Sequence, residues 1–396
     1  MKPADHDLAI VGGGPVGALL ACGLAAHGGR VVLLEGTPAT GGLPPSYDGR
    51  AIALALGSQD LLAAYGAWDG LAAAASPMLR IDIAQQRFPG RTLLDCAGEG
   101  VPAFGYVVSG HDLGQALYAR LDRAGVRVLR GARVDALHRA RGQVRLGLAG
   151  SGEVDELGAR LVVAADGARS AVRALAGISA HHTDYAQRAL IAEVVPGIPH
   201  AGTAYERFTP HGPLALLPRG AGCALVWTLP DTDCARLLEL DEPAFLAELQ
   251  RAFGGDLGTF RAVRERRAYP LHGLRVERLV RGRVALAGNA AHTLHPIAGQ
   301  GLNLGVRDVA RLVALLDDAL AHGDDPGDSR RLAVYARERA AEHARAYSFT
   351  DGLLALFAGS ALPLRLARGA GLAGFGRLPL LRHRLAAHTM GRAGRG

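Results

Sequence analysis

The chain has 396 residues, 49% hydrophobic and 20% charged, with a net charge of +7; this is the balance of an ordinary globular protein with room for two or three domains. Seven arginines and no acid follow Asp351, and without those seven the 44 basic residues match the 37 acidic ones, so the excess is a local basic tail and argues against a nucleic-acid cleft. Lys2 is the only lysine, which excludes a Gly-Lys-Ser/Thr phosphate loop and a Schiff-base lysine in the body, and Cys22, Cys96, Cys223 and Cys234 lack the CxxC spacing of zinc or dithiol motifs, so no metal is expected.

The chain opens with "DLAIVGGGPVGALLACGLAAHGGRVVLLEG", which reads as a β-α-β unit. Leu8 to Val11 forms a short buried strand, Pro15 to His27 a helix stopped by Gly28-Gly29, and Arg30 to Leu34 a second strand ending at Glu35. Between strand and helix lies Gly12-x-Gly14-x-x-Gly17. Gly12 permits the tight turn, Gly14 lets the backbone approach a pyrophosphate, and Gly17 lets helix and strand pack closely. The helix start at Pro15 and Val16 offers free N–H groups to an anion, and Glu35 can accept from a ribose diol. The unit does not distinguish NAD from FAD. The amino terminus enters a strand almost at once, which leaves no room for a signal peptide; with scattered cysteines this points to the cytoplasm.

Further along, "YDGRAIAL" places Arg50 at a loop-to-helix junction. "MLRIDIAQ" and "GRTLLD" are strand-like, and "VVSGHDLGQAL" opens a helix with His111 near its start. "ARLVVAADGARSAVR" is a buried strand turning at Asp166-Gly167 into a helix. "RALIAEVV", "GTAYERFT", "LALLP" and "CALVWTL" alternate as strands of an antiparallel sheet with one covered face. Then comes "GRVALAGNAAHTLHPIAGQGLNLG", a strand followed by a glycine-rich loop whose only ionisable side chains past Arg283 are two histidines. It leads into a helix with Val309, Leu312, Val313, Leu316 and Leu320 at helical spacing. Such a loop suggests close backbone approach to a bound molecule.

In this order and spacing the stretches resemble the class A flavoprotein aromatic hydroxylases, and within them the ubiquinone-biosynthesis hydroxylases. "AHTLHPIAGQGLNLG", "RFTPHGPLALLPRGAGCALVWTLP" and "YDGRAIALALGS" carry the likeness, which covers about residues 5–345. It points most to the enzymes acting on an octaprenyl-methoxyphenol ring, with the related ring positions left open. The resemblance implies an α/β fold: a glutathione-reductase-type, Rossmann-like FAD-binding domain with an inserted antiparallel β-sheet substrate domain and a helical carboxy-terminal tail. The expected division is 1–75, 106–181 and 276–345 for FAD binding, 76–105 and 182–275 for the substrate sheet, and 346–396 for the tail.

It also implies site residues. Gly12, Gly14, Pro15, Val16, Gly17 and Glu35 would hold the ADP half of FAD. Arg50, Asp166 and Gly167 would lie near the flavin and pyrophosphate, and His111 stands where many relatives have Arg. Gly288-Asn289 replaces the usual Gly-Asp at the ribityl chain. Pro296, Gly299, Gly301, Leu302 and Asn303 would pass along the ring, with helix N–H groups aimed at its pyrimidine edge. NAD(P)H would bind transiently, since no second GxGxxG unit follows. O2 would react through a flavin C4a-hydroperoxide in a dry pocket. Tyr205, Phe208, Leu216, Pro218 and Trp227 are candidates for the substrate lining. His295 is the candidate catalytic residue, and His292 reads as a structural histidine past a strand end. A halogenase is excluded because Trp68 and Trp227, the only tryptophans, form no Trp-x-Trp motif.

The expected reaction is hydroxylation of a prenylated phenol. Two alternatives stay open: a soluble hydroxylase of aromatic catabolism or tailoring, and a flavin-loaded structural subunit of a biosynthetic complex. The basic tail reads either as a helical cap on the FAD domain or as a contact for a partner or an anionic membrane surface. The latter would hold the protein peripherally at the inner membrane.

Overall fold

A computed structural model describes residues 4–25, 29–86, 88, 90–150, 154–358 and 362–392. The expected end of the first helix at His27 and Gly28 lies outside the described residues. The first strand, His6–Val11, is the hub of a sheet in which Val284–Leu286, Glu156–Ala164, His6–Val11, Val31–Glu35 and Arg127–Arg130 run parallel in that spatial order. Its central strands are buried on both faces and so read as continuous apolar runs. A hairpin, Arg133–Ala140 and Gln143–Ala149, extends the edge of Glu156–Ala164. The helix Pro15–Leu24 packs between this sheet and the long helix Gln300–His322 and is buried at almost every position.

The second sheet has eight strands. Its order is His292–Thr293, Ala262–Val276, Ala180–Val195, Gly222–Pro230, Gly212–Arg219, Thr203–Thr209, Arg80–Gln85 and Arg91–Asp95. Every pairing is antiparallel except one: Thr203–Thr209 runs parallel to Arg80–Gln85. That departure from the expected antiparallel sheet has a simple cause. The two strands come from distant parts of the chain, so no hairpin sets their direction. The strand Ala262–Val276 gives no sequence signal, because its run of arginines lacks apolar alternation. It is specified by pairing along most of Ala180–Val195.

Both faces of this second sheet are covered. Helices Asp231–Glu239 and Glu242–Phe253 bury Leu237, Phe245, Leu249 and Phe253 against Leu190, Leu214, Leu216, Leu225 and Trp227. The other face closes a cavity. After the long helix come Ser329–Ala358, Leu362–Arg377 and Pro379–Thr389. The last two and the residues after them fold back onto the sheet edge, where Thr92 Oγ1 donates to Leu372 O at 2.6 Å, and onto the helix Leu56–Ala64, where Gly57 N donates to Met390 O at 2.9 Å and Arg392 pairs with Asp60 at 2.6 Å. The tail is therefore a packed helical cap, lying over the second sheet and the cavity mouth and against the helix Leu56–Ala64 of the expected FAD-binding segment. Leu366, Leu378 and Leu380 remain exposed on it. No helix among the described residues is long and apolar enough to cross a membrane.

Candidate active site

One cavity of about 1600 Å³ runs between the two sheets and under the tail. It exceeds the usual size of a single small-ligand pocket, roughly 300–1,000 Å³. At one end lies the first β-α-β turn. Gly12 has φ +106°, and a Cβ there would sit 2.4 Å from Ala165 O, so the turn can pass only as glycine. A Cβ on Gly17 would stand 1.9 Å from Gly12 O, so that residue sets the approach of helix to strand and stays out of the cavity. The helix has Gly14 as N-cap, no side-chain cap and no acid in its first turn. Glu35 lines the cavity and already accepts from Gly13 N and Thr37 N, each at 2.7 Å. A carboxylate has about four acceptor sites, so two remain for a ligand.

A second helix start opens on the same space. Gly299 caps Gln300–His322 without a side-chain bond, and again no acid sits in the first turn. Pro296, Gly299, Gly301, Leu302 and Asn303 all line the cavity. Two uncapped N-termini facing one cavity make it receptive to anionic groups at two separate points. Between them Arg50 is held by Asp48, with Nε donating to Oδ1 at 2.8 Å, and lies over the Tyr269 ring at 4.6 Å. Asp166 and Gly167 line the same end. Burial raises the Asp166 carboxyl, opposed by the N–H groups it caps, Val172 N among them at 3.1 Å. This donor set fits a flavin dinucleotide: free amides for its phosphates and ring edge, and a carboxylate for a diol.

Several expected residues stand elsewhere or act otherwise. Asn303 lines the cavity, yet its amide is saturated by protein. Its Oδ1 accepts from Ala55 N and Ser58 Oγ, and its Nδ2 donates to the Ala53 and Gly299 carbonyls, all within 2.9 Å. It latches the glycine loop to the strand Ala51–Ala55. Asn289 lines the cavity and is exposed there, while Gly288 packs against Val16 and donates its N–H to Asp308. His111 is exposed on the first turn of helix Gly110–Arg123 next to Gln115, outside the cavity.

His295 is likewise outside. It is fully buried, accepts from Ile297 N through Nδ1 at 3.3 Å and bonds Gln187 Oε1 through Nε2 at 3.2 Å. Burial lowers its pKa to about 4, so it is neutral at pH 7. Both ring nitrogens are committed to holding the loop, which corrects its expected catalytic role. His292 is structural: Nε2 pairs with Asp308 Oδ2 at 3.0 Å in the core. Asp308 also accepts from Arg339 Nε at 2.7 Å, His343 Nε2 at 2.8 Å and Gly288 N at 2.9 Å. Burial alone would raise that carboxyl; attraction to His292 and His343 and their hydrogen bonds outweigh it and hold it well below the usual range. Three ligand-type side chains therefore meet at His292, Asp308 and His343, but the Arg339 guanidinium shares the same carboxylate.

The substrate lining corrects most sharply. Phe208 lines the cavity, but Leu216, Pro218 and Trp227 do not. Leu216 and Trp227 pack beneath the helices on the opposite face, and the Tyr205 ring, though its residue borders the cavity, stacks edge-on against Phe253 there. The cavity wall is the other parity: Ala204, Glu206, Ala215, Leu217, Val226 and Thr228. Strand period could have exposed this, since Tyr205 and Phe208 are three apart and must face opposite ways. Glu206 went unnoticed for the same reason. The tail closes the cavity with residues such as Leu372, Phe375, Leu385 and His388, which no sequence pattern announced.

Residues 5–350 match the FAD-binding domain family. The chain is 40% identical over 387 residues to a ubiquinone hydroxylase, UbiL, of Rhodospirillum rubrum, covering 97% of this chain and 89% of that one. It is 35% identical to the 3-demethoxyubiquinol 3-hydroxylase of Escherichia coli over 99% of this chain and all of the other. The crystal structure of p-nitrophenol 4-monooxygenase from Pseudomonas putida shares the fold with a TM-score of 0.81 over the full length of both chains, at 22% identity. With the glycine turn, the second helix start and the inserted sheet all bordering one cavity, the chain belongs to the FAD-binding domain family and, within it, to the FAD-dependent hydroxylases of the ubiquinone-biosynthesis group.

Proposed function

We propose that this protein hydroxylates the aromatic ring of a prenylated phenol in ubiquinone biosynthesis, using O2 and NAD(P)H. One observation carries the proposal: a single cavity joins a flavin-type end, with its two uncapped helix starts, to an apolar sheet wall closed by the tail helices. When bound, FAD supplies electron transfer and oxygen activation; the chain supplies position, charge and exclusion of water. Gly12, Gly14 and the first turn at Pro15 and Val16 hold the pyrophosphate, and Glu35 takes the ribose. Amides at Gly301 and Leu302 steady negative charge at the ring edge. Segments 1–75, 106–181 and 276–345 form the cofactor half, and 76–105 and 182–275 the substrate half. Within the tail segment 346–396 the described helices close the mouth, where exposed leucines beside arginines suit an anionic membrane surface or a partner subunit and leave a prenyl tail an apolar way in.

The test is direct. Purified holoprotein should oxidise NADH or NADPH when given a prenylated phenol, and mass spectrometry should show one added oxygen in the product. Deleting the gene in its host should cause the unhydroxylated prenylphenol to accumulate. Equal or better turnover of short-chain phenols would favour a catabolic or tailoring hydroxylase. FAD content without any turnover, even with membranes and partners added, would favour a structural subunit.

A further inference from the structure

Among the described residues, the cavity face of the sheet carries one carboxylate without a protein partner. Glu206 sits mid-strand in Thr203–Thr209, between Ala204 and Phe208 on the cavity face, and pairs in register with Ala215 and Ile83. Ala215 and Ile83 also line the cavity, so its immediate surroundings are apolar. Among the described residues no hydrogen bond or ion pair reaches its carboxylate. Arg207 next to it points to the other face, where it pairs with Asp82 at 3.3 Å and Asp256 at 2.7 Å. A chain does not leave a carboxylate in an apolar wall without cost; such a group needs a partner or shifts toward its neutral form. Desolvation raises the pKa of Glu206 to about 7, with Arg207 opposing it.

We propose that Glu206 is a catalytic residue of the hydroxylation, accepting the phenolic O–H of the substrate and taking its proton as the ring is attacked. The inference rests on the prenylphenol reading above. The O–H bond of the phenol breaks and a carboxyl O–H bond forms. The electron pair left on oxygen enriches the ring carbons ortho and para to it. At one of them a C–O bond forms to one atom of O2 as the O–O bond breaks, and NAD(P)H supplies the two electrons that take the other oxygen atom to water. The hydrogen on that ring carbon leaves as a proton to the water formed, and the Glu206 proton returns to the phenolate oxygen as the hydroxylated product leaves. A base titrating near the working pH is the best compromise between being ionised and being basic enough. The small and apolar neighbours leave room for the ring and offer it no competing donor. The other ionisable groups of the same cavity nearest its substrate half are Tyr269 on the sheet, Arg50 on the loop, and Arg368, Arg384 and His388 on the tail helices. Arginine offers no lone pair to a proton, and the His388 ring packs on Phe349 of the tail at 4.2 Å, off the sheet wall's strands.

The test compares wild type, Glu206→Gln and Glu206→Asp as FAD-loaded proteins with a geranyl-substituted phenol as probe. Flavin content and melting temperature show that each variant is folded and loaded. The expected result is a drop in kcat of about a hundredfold in the Gln variant and partial recovery in the Asp variant. The acid limb of the wild-type profile near pH 7 should vanish in the Gln variant. Calorimetric titration of the oxidised, FAD-loaded proteins with the same phenol and no reductant gives a second readout: the pH dependence of binding should be confined to the two carboxylate proteins. A Gln variant with unchanged kcat, KM and pH profile overturns the role of Glu206 while leaving the hydroxylase reading intact. Wild-type protein that turns over no prenylated phenol overturns both.

Discussion

The two ends of the cavity are built in opposite ways. The glycine-turn end is made of backbone. Gly12 and Gly17 are where they are because a Cβ would overlap backbone atoms, Gly299 because its φ of +60° is left-handed, and Asn303 and His295 spend every polar side-chain atom keeping the loop in place. The sheet end is made of side chains on one face of eight strands, and its shape depends on which parity faces inward. A cofactor common to many enzymes can be held by main chain, whereas a particular substrate needs side chains that can vary.

That contrast can be broken or sharpened by substitution. The largest effect is expected at Asp308, which anchors Gly288 and balances His292, His343 and Arg339. Asp308→Ala leaves those groups buried without their acceptor and should cost about 3–5 kcal/mol, read as a loss of soluble yield and a lower denaturant midpoint. An intact Asp308→Ala protein with full FAD content would show that the backbone end does not depend on this network.

Acidification should act next, through His295. Its folded pKa of about 4 lies below the ordinary 6.5. The unfolded chain therefore binds the proton more readily, so this contribution is complete above pH 6.5 and is lost as the pH falls to 4. The loss by pH 4 should be about 3 kcal/mol, measured as a shift in urea midpoint. His295→Gln should flatten it.

The two faces of the sheet give a paired test. Leu216→Ala, under the helices, should cost roughly 2–5 kcal/mol and leave KM for substrate unchanged. Ala215→Leu, its neighbour on the cavity wall, should change stability by about 1 kcal/mol or less, because the added atoms enter open space. It should raise KM severalfold in steady-state assays. If Leu216→Ala moves KM and Ala215→Leu does not, the parity assigned to the wall is wrong. The smallest effect concerns Glu206. Its raised pKa makes ionisation a burden that grows as pH rises from 4.5 toward 7. Cavity solvent reaches the carboxylate, so Glu206→Gln should stabilise the protein at pH 8 by only about 1 kcal/mol, seen as a small rise in melting temperature absent at pH 4.

Local rules carried much of the fold. The β-α-β turn, the strand before Asp166 and the long helix after Gly299 are each specified by a short run of residues, because glycine placement and apolar period act within a few positions. Leu216, Pro218 and Trp227 show where that reasoning stopped. Bulky alternating side chains announce a buried face, but this sheet has two, and only the helices Asp231–Glu239 and Glu242–Phe253 decided which was core. His295 adjoins the cavity-lining Pro296 in sequence, and His111 stands where many relatives have Arg, yet neither borders the cavity.

The sequence by itself determined the family, the cofactor and the turn that receives it, since these depend on backbone geometry that a few glycines enforce locally. Only the tertiary structure decided which sheet face meets the substrate, that a lone glutamate stands on it, and that the last helices close its mouth. Those properties arise from packing between segments far apart in the chain, whose outcome no single stretch contains.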